Sequence, residues 1–124
     1  MRHNYIPFYE RESEVLIFCY FLFRGVRSLL ESYFQSELIR ELKQSFPGCI
    51  VIKNDCNYIQ GFPDLTILYR DKWAVLECKK QGNAKKRPNQ AYYVGLLDTM
   101  SFSRFIYPEN KEEVLRELQQ TFCS

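Results

Sequence analysis

Hydrophobic and polar positions follow two periods along this chain, and one stretch follows neither. Residues 15–23 form an unbroken apolar run, VLIFCYFLF. A membrane span needs about 20 such residues, and the run has no polar face for a surface amphipathic helix. Glu10, Glu12 and Glu14 precede it, and Arg24 and Arg27 follow. Those signs suit a helix dipole. Residues 1–28 therefore read as a helical extension, for which three expectations stand. It is a helix buried against the domain, a helix that contacts a partner, or an upstream addition to a natural product that starts near Leu29 or Leu30. Mass spectrometry of the native protein separates the last from the others.

From residue 29 the pattern becomes regular. Advancing about 100° per residue from Glu31, Phe34, Gln35, Leu38, Leu42 and Phe46 stay within about 60° of it. This predicts a helix over 30–46 with Glu31 in the middle of its apolar stripe. Glu37 falls roughly 120° away, on the polar side. Pro47 and Gly48 end the helix. Residues 49–53 (CIVIK), 64–69 (DLTILY) and 73–79 (WAVLECK) read as strands. The last two form a hairpin about Arg70, Asp71 and Lys72.

Pro88 suits the first position of a helix to about Met100, with Gln90, Tyr93, Val94 and Leu97 on one face. Residues 105–107 predict a short strand. Asn110 with Glu113 predicts a capping-box start for a final helix, whose inward stripe is Val114, Leu115, Leu118 and Phe122. The order is α-β-β-β-α-β-α, an α/β domain over residues 29–124.

The size, 124 residues, favours one domain with a real core. At 46% apolar and 16% aromatic residues, the sequence is one that folds. A formal net charge of only +2 excludes a global basic field, so nucleic-acid attraction must come from local clustering. Five cysteines with no CxxC pair, beside a single histidine, His3, argue against a zinc site. The scattered thiols predict a reduced, intracellular setting: the cytoplasm, or the host cytoplasm for a viral protein. No secretory signal pattern is visible.

Candidate chemistry gathers on the hairpin. Asp64 opens one strand after the turn at Gly61, Phe62 and Pro63, and Glu77 and Lys79 close the next. Strand residues i and i+2 project from one face, roughly 6.6 Å apart. Glu77 and Lys79 therefore share a face, and Asp64 starts the paired strand. Two carboxylates suit Mg²⁺, which keeps several waters. An ammonium beside them can orient or help deprotonate a water and offset charge in a transition state.

Glu31 in an apolar stripe is costly without a compensating partner, and a cation shared with Asp64 and Glu77 would compensate it. Like charges about 4 Å apart repel by roughly 4 kcal/mol at an effective dielectric of 20. Without a cation, the site is expected to be held loosely, or with one carboxyl protonated. Gln90 begins an inward stripe and could bond a phosphate or a metal ligand. Lys80, Lys85, Lys86 and Arg87 form a basic loop running into a helix N-terminus, and both attract phosphate. Taken singly, each signal is ordinary. Pro-Asp makes a turn, Glu-x-Lys a solvated strand face, and Tyr58, Tyr92 and Tyr93 packing residues. The argument rests on their order together.

That ordered set resembles the PD-(D/E)XK nuclease superfamily, and within it the VRR-NUC (virus-type replication-repair nuclease) family, in particular its small stand-alone phage-type members. The resemblance rests on Glu31 through Gln35, on Lys53, Asn54 and Asp55, and on Gly61 through Asp64. It continues in Glu77, Cys78 and Lys79, then in Pro88, Asn89, Gln90 and Tyr93. It covers residues 30–124 and finds no counterpart for residues 1–28.

The resemblance implies a restriction-endonuclease-like core, a central mixed sheet of about four strands flanked by helices. It implies a metal held by Asp64, Glu77 and the backbone carbonyl of Cys78 with help from Glu31, and Glu37 as the reserve for the helix carboxylate. Lys79 becomes the base or water-positioning group and Gln90 the auxiliary glutamine. Lys80, Lys85, Lys86, Arg87 and Tyr93 become nucleic-acid contacts. The implied activity is that of a Mg²⁺-dependent (or Mn²⁺-dependent) DNA endonuclease leaving a 5′-phosphate. Flaps, forks or four-way junctions in phage replication or repair are the implied substrates, cut by a monomer or a homodimer. Two competitors stand beside it. One is a nucleic-acid-binding module without catalysis. The other is an interaction protein led by the apolar N-terminal segment.

Overall fold

A computed structural model describes the backbone from Phe8 to Ser124, and side chains from Leu29 onward and at Leu22 and Gly25. The chain divides into two compact units, Met1–Leu30 and Glu31–Ser124. Helix α1 spans Phe8–Ser45, so the two helical stretches expected from the sequence are one continuous element. The side chains of the apolar run lie outside the described residues, apart from exposed Leu22. Among the described residues, no helix is long and apolar enough to cross a membrane.

The second unit is α/β. After α1 come β1 (Ile50–Lys53), β2 (Leu65–Tyr69), β3 (Lys72–Cys78), α2 (Pro88–Met100), β4 (Phe102–Ile106) and α3 (Lys111–Phe122). The strands form one open sheet in the order β1-β2-β3-β4. β1–β2 and β2–β3 pair antiparallel, and β3–β4 pair parallel. A parallel neighbour cannot follow through a tight turn, and α2 is the crossover. The hairpin is as tight as it can be: Tyr69 pairs with Lys72, and Arg70 takes the left-handed conformation at φ 57°.

Alternation along the strands sorts the two faces. Leu65, Ile67, Tyr69, Ala74, Leu76, Cys78, Phe102 and Ile106 join one core with Leu38, Leu42 and Phe46 of α1. Val114, Leu118 and Phe122 of α3 complete it. Phe46, Tyr69 and Phe122 pack ring against ring, with centroids 5.1 to 5.5 Å apart. The intervening residues Val75, Glu77 and Ser103 are buried too but belong to the other face. There α2 covers β3 and β4 with Val94 and Leu97.

Two expectations need correcting. β4 starts at Phe102 rather than residue 105, because Phe102 and Ser103 pair with Ala74 and Val75 as soon as α2 ends. Asn110 precedes α3 but makes no side-chain cap. Its amide is used elsewhere: Oδ1 accepts from Tyr107 N at 2.8 Å, and Nδ2 donates to Phe105 O at 3.0 Å. Asn110 thus locks the β4–α3 connection instead.

Candidate active site

The open end of the β2–β3 pair holds the candidate chemistry. Leu65 lies opposite Leu76, so the same register carried one step on sets Asp64 opposite Glu77. The turn before Asp64 is fixed from several directions. Asn54 N donates to Asp64 O at 2.8 Å. The Asn54 amide donates to Pro63 O and to Thr66 Oγ1, each at 2.8 Å. Asp64 Oδ2 in turn accepts the backbone N–H of Cys78 at 3.0 Å. One carboxylate therefore ties the start of β2 to the end of β3.

Glu77 is 3% exposed, and its Oε2 is buried without a hydrogen-bond partner. Its Oε1 accepts from Gln90 Nε2 at 3.3 Å. Burial is the main cause that pushes the Glu77 carboxyl up to about 8; the Asp64 charge pushes it further, and Lys79 acts in the opposite sense.

Gln90 joins the two ends of the Glu-x-Lys segment. Its Oε1 accepts from Lys79 Nζ at 2.7 Å and from Arg87 N at 3.1 Å, while its Nε2 serves Glu77. One amide thereby fixes the ammonium, the carboxyl and the first turn of α2. Pro88 at the start of that turn needs no donor of its own.

Asp64, Glu77, Gln90 and Arg87 line an open cavity of about 370 Å³ together with Cys56, Asn57, Gln60, Gly61 and Phe62. Gly61 is required there. Its φ is 86°, and a Cβ would meet Asn89 Cβ at 2.4 Å. The loop therefore abuts α2 directly. The cavity-lining residues Cys56, Asn57 and Gln60, all exposed, carry no signal in the sequence, because the loop's turn-rich composition does not say which of its side chains border the cavity.

Other candidates take different places. Glu31 is exposed, not sunk in an apolar stripe, because the stripe is buried only from Leu38 onward. Burial raises the Cys78 thiol, and Asp64, Glu77 and Glu31 raise it further, against a hydrogen bond from Gln35. Among the described residues, no three His, Cys, Asp or Glu side chains form a ready ligand group. Asp64 and Glu77 are the two carboxylates that the strand register sets side by side. Glu37 is paired with Arg40 on the helix surface. The Cys78 side chain faces the core, leaving only its backbone to serve the site.

Among the basic residues, Arg87 lines the cavity, Lys80 is half-buried, and Lys85 is exposed. Lys86 Nζ sits 4.6 Å above the centre of the Phe105 ring. Tyr93 packs between Phe62 and Tyr92, at 5.8 and 5.2 Å, while Tyr92 stays exposed.

Comparison with family models, curated proteins and solved structures finds no match for this chain.

Proposed function

We propose that the chain is a divalent-cation-dependent endonuclease that hydrolyses DNA phosphodiesters, with the Asp64–Glu77–Lys79–Gln90 cluster as its active site. The observation that carries this reading is the buried, unpartnered Oε2 of Glu77 beside a second carboxylate in an open cavity. Leaving a buried polar oxygen unpaired is costly, and a hard cation would supply its missing partner. The donor set fits: Mg²⁺ binds through one or two carboxylates and keeps waters and phosphate oxygens for the rest. Asp64, Glu77 and the Cys78 carbonyl would hold it, and Mn²⁺ could substitute.

Bound there, the cation would polarise the phosphate and acidify a water. The chain's own residues do the rest. Lys79, held at 2.7 Å by Gln90, orients the attacking water and offsets charge gathering on the phosphate. Gln90 keeps Glu77 and Lys79 in register. Arg87 and the start of α2 receive the substrate's phosphates. Branched DNA, meaning flaps, forks or four-way junctions, is the substrate class the resemblance favours, within a restriction-endonuclease-like core. A homodimer would place two sites for symmetric incision of a junction.

The test is a panel of labelled linear, flapped and four-way DNAs, with an RNA, incubated with Mg²⁺ or with chelator. Mg²⁺-dependent cutting of DNA is expected. Binding without cutting in every divalent cation would instead identify a nucleic-acid-binding module and end the catalytic reading.

A further inference from the structure

The loop between β1 and β2 borders a second cavity. An open hollow of about 320 Å³ is lined by Asn54, Asp55, Tyr58, Ile59 and Phe62. That volume falls within the range of small-ligand sites. Phe62 belongs to this cavity and to the one holding Asp64 and Glu77, so the two are neighbours across one side chain.

The chemistry of the two cavities differs. The first gathers carboxylates, Gln90 and Arg87. The second offers two aromatic rings, an isoleucine and an acid. Tyr58 is 86% exposed, so its ring has little of the chain to pack on.

The frame beneath Tyr58 is rigid. Thr66 and Asn54 exchange hydrogen bonds at 2.8 and 3.1 Å, and Asn54 also holds Pro63. Asp55 Oδ1 accepts Asn57 N at 2.9 Å, and Tyr58 N donates to Asp55 O at 3.2 Å. This leaves Oδ2 of Asp55 able to accept from a ligand. An exposed aromatic ring on a pre-set turn, beside an acceptor, matches how an unpaired base is held: its face stacks on the ring, and its amino edge meets a carboxylate. A base inside a duplex exposes neither its face nor its pairing edge.

We propose that this second cavity takes one unpaired nucleobase of a DNA substrate, stacked on Tyr58, next to the phosphate in the first cavity. This assignment rests on the phosphodiester reading of the neighbouring site. It deepens that reading by giving the enzyme a means to select DNA with an unpaired nucleotide at the point of incision. Asp55 favours bases that present an amino group there.

The experiment uses the full chain with Ca²⁺ in place of Mg²⁺, so that DNA binds without being cut. Affinities are measured for a flapped DNA and for the same DNA with single abasic nucleotides near the branch. The affinities of wild type, Tyr58→Ala and Tyr58→Phe are compared. One abasic position should weaken wild-type binding by roughly 5- to 100-fold, the range of base–aromatic stacking. Tyr58→Ala should show the same loss on intact DNA and no further loss on that abasic DNA, and Tyr58→Phe should restore affinity. Tyr58 is so exposed that its replacement leaves the fold standing.

Independent, multiplying losses would overturn the proposal, as would full affinity in Tyr58→Ala. In those cases wild-type cutting in Mg²⁺ would leave the nuclease reading intact. A wild-type protein that neither binds nor cuts any DNA would remove both.

Discussion

Lys79 Nζ donates to Gln90 Oε1 at 2.7 Å, which joins the last residue of a Glu-x-Lys segment to the third residue of the helix that follows. The same amide donates to Glu77. Its two ends thus sort an ammonium from a carboxyl, and no apolar residue could do both. Gln90→Ala should reduce cleavage by roughly 10- to 100-fold, as loss of a residue that orients active groups commonly does. Far-ultraviolet circular dichroism should be unchanged, and DNA affinity in Ca²⁺ should be nearly so. Rates unaffected by the substitution would show that Lys79 is positioned without it.

The raised Glu77 carboxyl fixes the sign of a pH effect. Its unfolded value is 4.5 and its folded value about 8. Between those values the folded state holds a proton that the unfolded state has lost. Its contribution to stability is therefore full at low pH and lost as pH rises through about 8. In chelator, wild type should lose stability relative to Glu77→Gln as pH rises from about 5 to about 9. Mg²⁺ should restore wild type and leave Glu77→Gln unmoved. Denaturant titrations across that range read both effects, and parallel curves for the two proteins would contradict the assignment.

Gly61→Ala tests the contact between the loop and α2. The substitution meets a left-handed φ of 86° and the backbone of Asn89 at 2.9 Å. A loss of about 2 kcal/mol or more is expected, because strain and overlap act together. Cleavage should fall further than stability alone explains, since the loop lines the cavity. Thermal melts and initial rates on one preparation measure both.

Phe46→Ala probes the opposite face. Phe46 is 1% exposed and touches Tyr69 and Phe122. Truncation should cost about 3–5 kcal/mol. Below the melting temperature the site geometry should survive, because the helix that supplies Gln90 packs on the other side of the sheet. Equal losses of stability and of activity in the folded state would indicate that the two faces are coupled.

Much of this was legible in the sequence because local pattern and tertiary demand agreed. Leu38, Leu42 and Phe46 keep helical spacing, and all three are buried. Pro88 opens α2, and Tyr69 to Lys72 forms the hairpin. The pairing of Asp64 with Glu77 followed from strand order and alternation alone.

What was missed depended on neighbours distant in sequence. The stripe containing Glu31 is apolar by angle, yet it is buried only where the sheet and α3 reach it, so the residue at its N-terminal end stays exposed. Asn110 has the spacing of a cap, but the backbone of Phe105 and Tyr107 claims its amide. Tyr92 and Tyr58 read as packing residues, yet both stay exposed, because nothing among the described residues covers them.

The central claim is that Asp64 and Glu77 hold a divalent cation at which DNA is cut with the help of Lys79. Single-turnover cleavage of flapped DNA addresses it most directly, comparing wild type, Asp64→Asn and Lys79→Ala with Mg²⁺ and with chelator. The account predicts cutting by wild type in Mg²⁺ alone, and no cutting by either variant although both fold and bind DNA in Ca²⁺. Cutting in chelator, or wild-type rates in either variant, would contradict it.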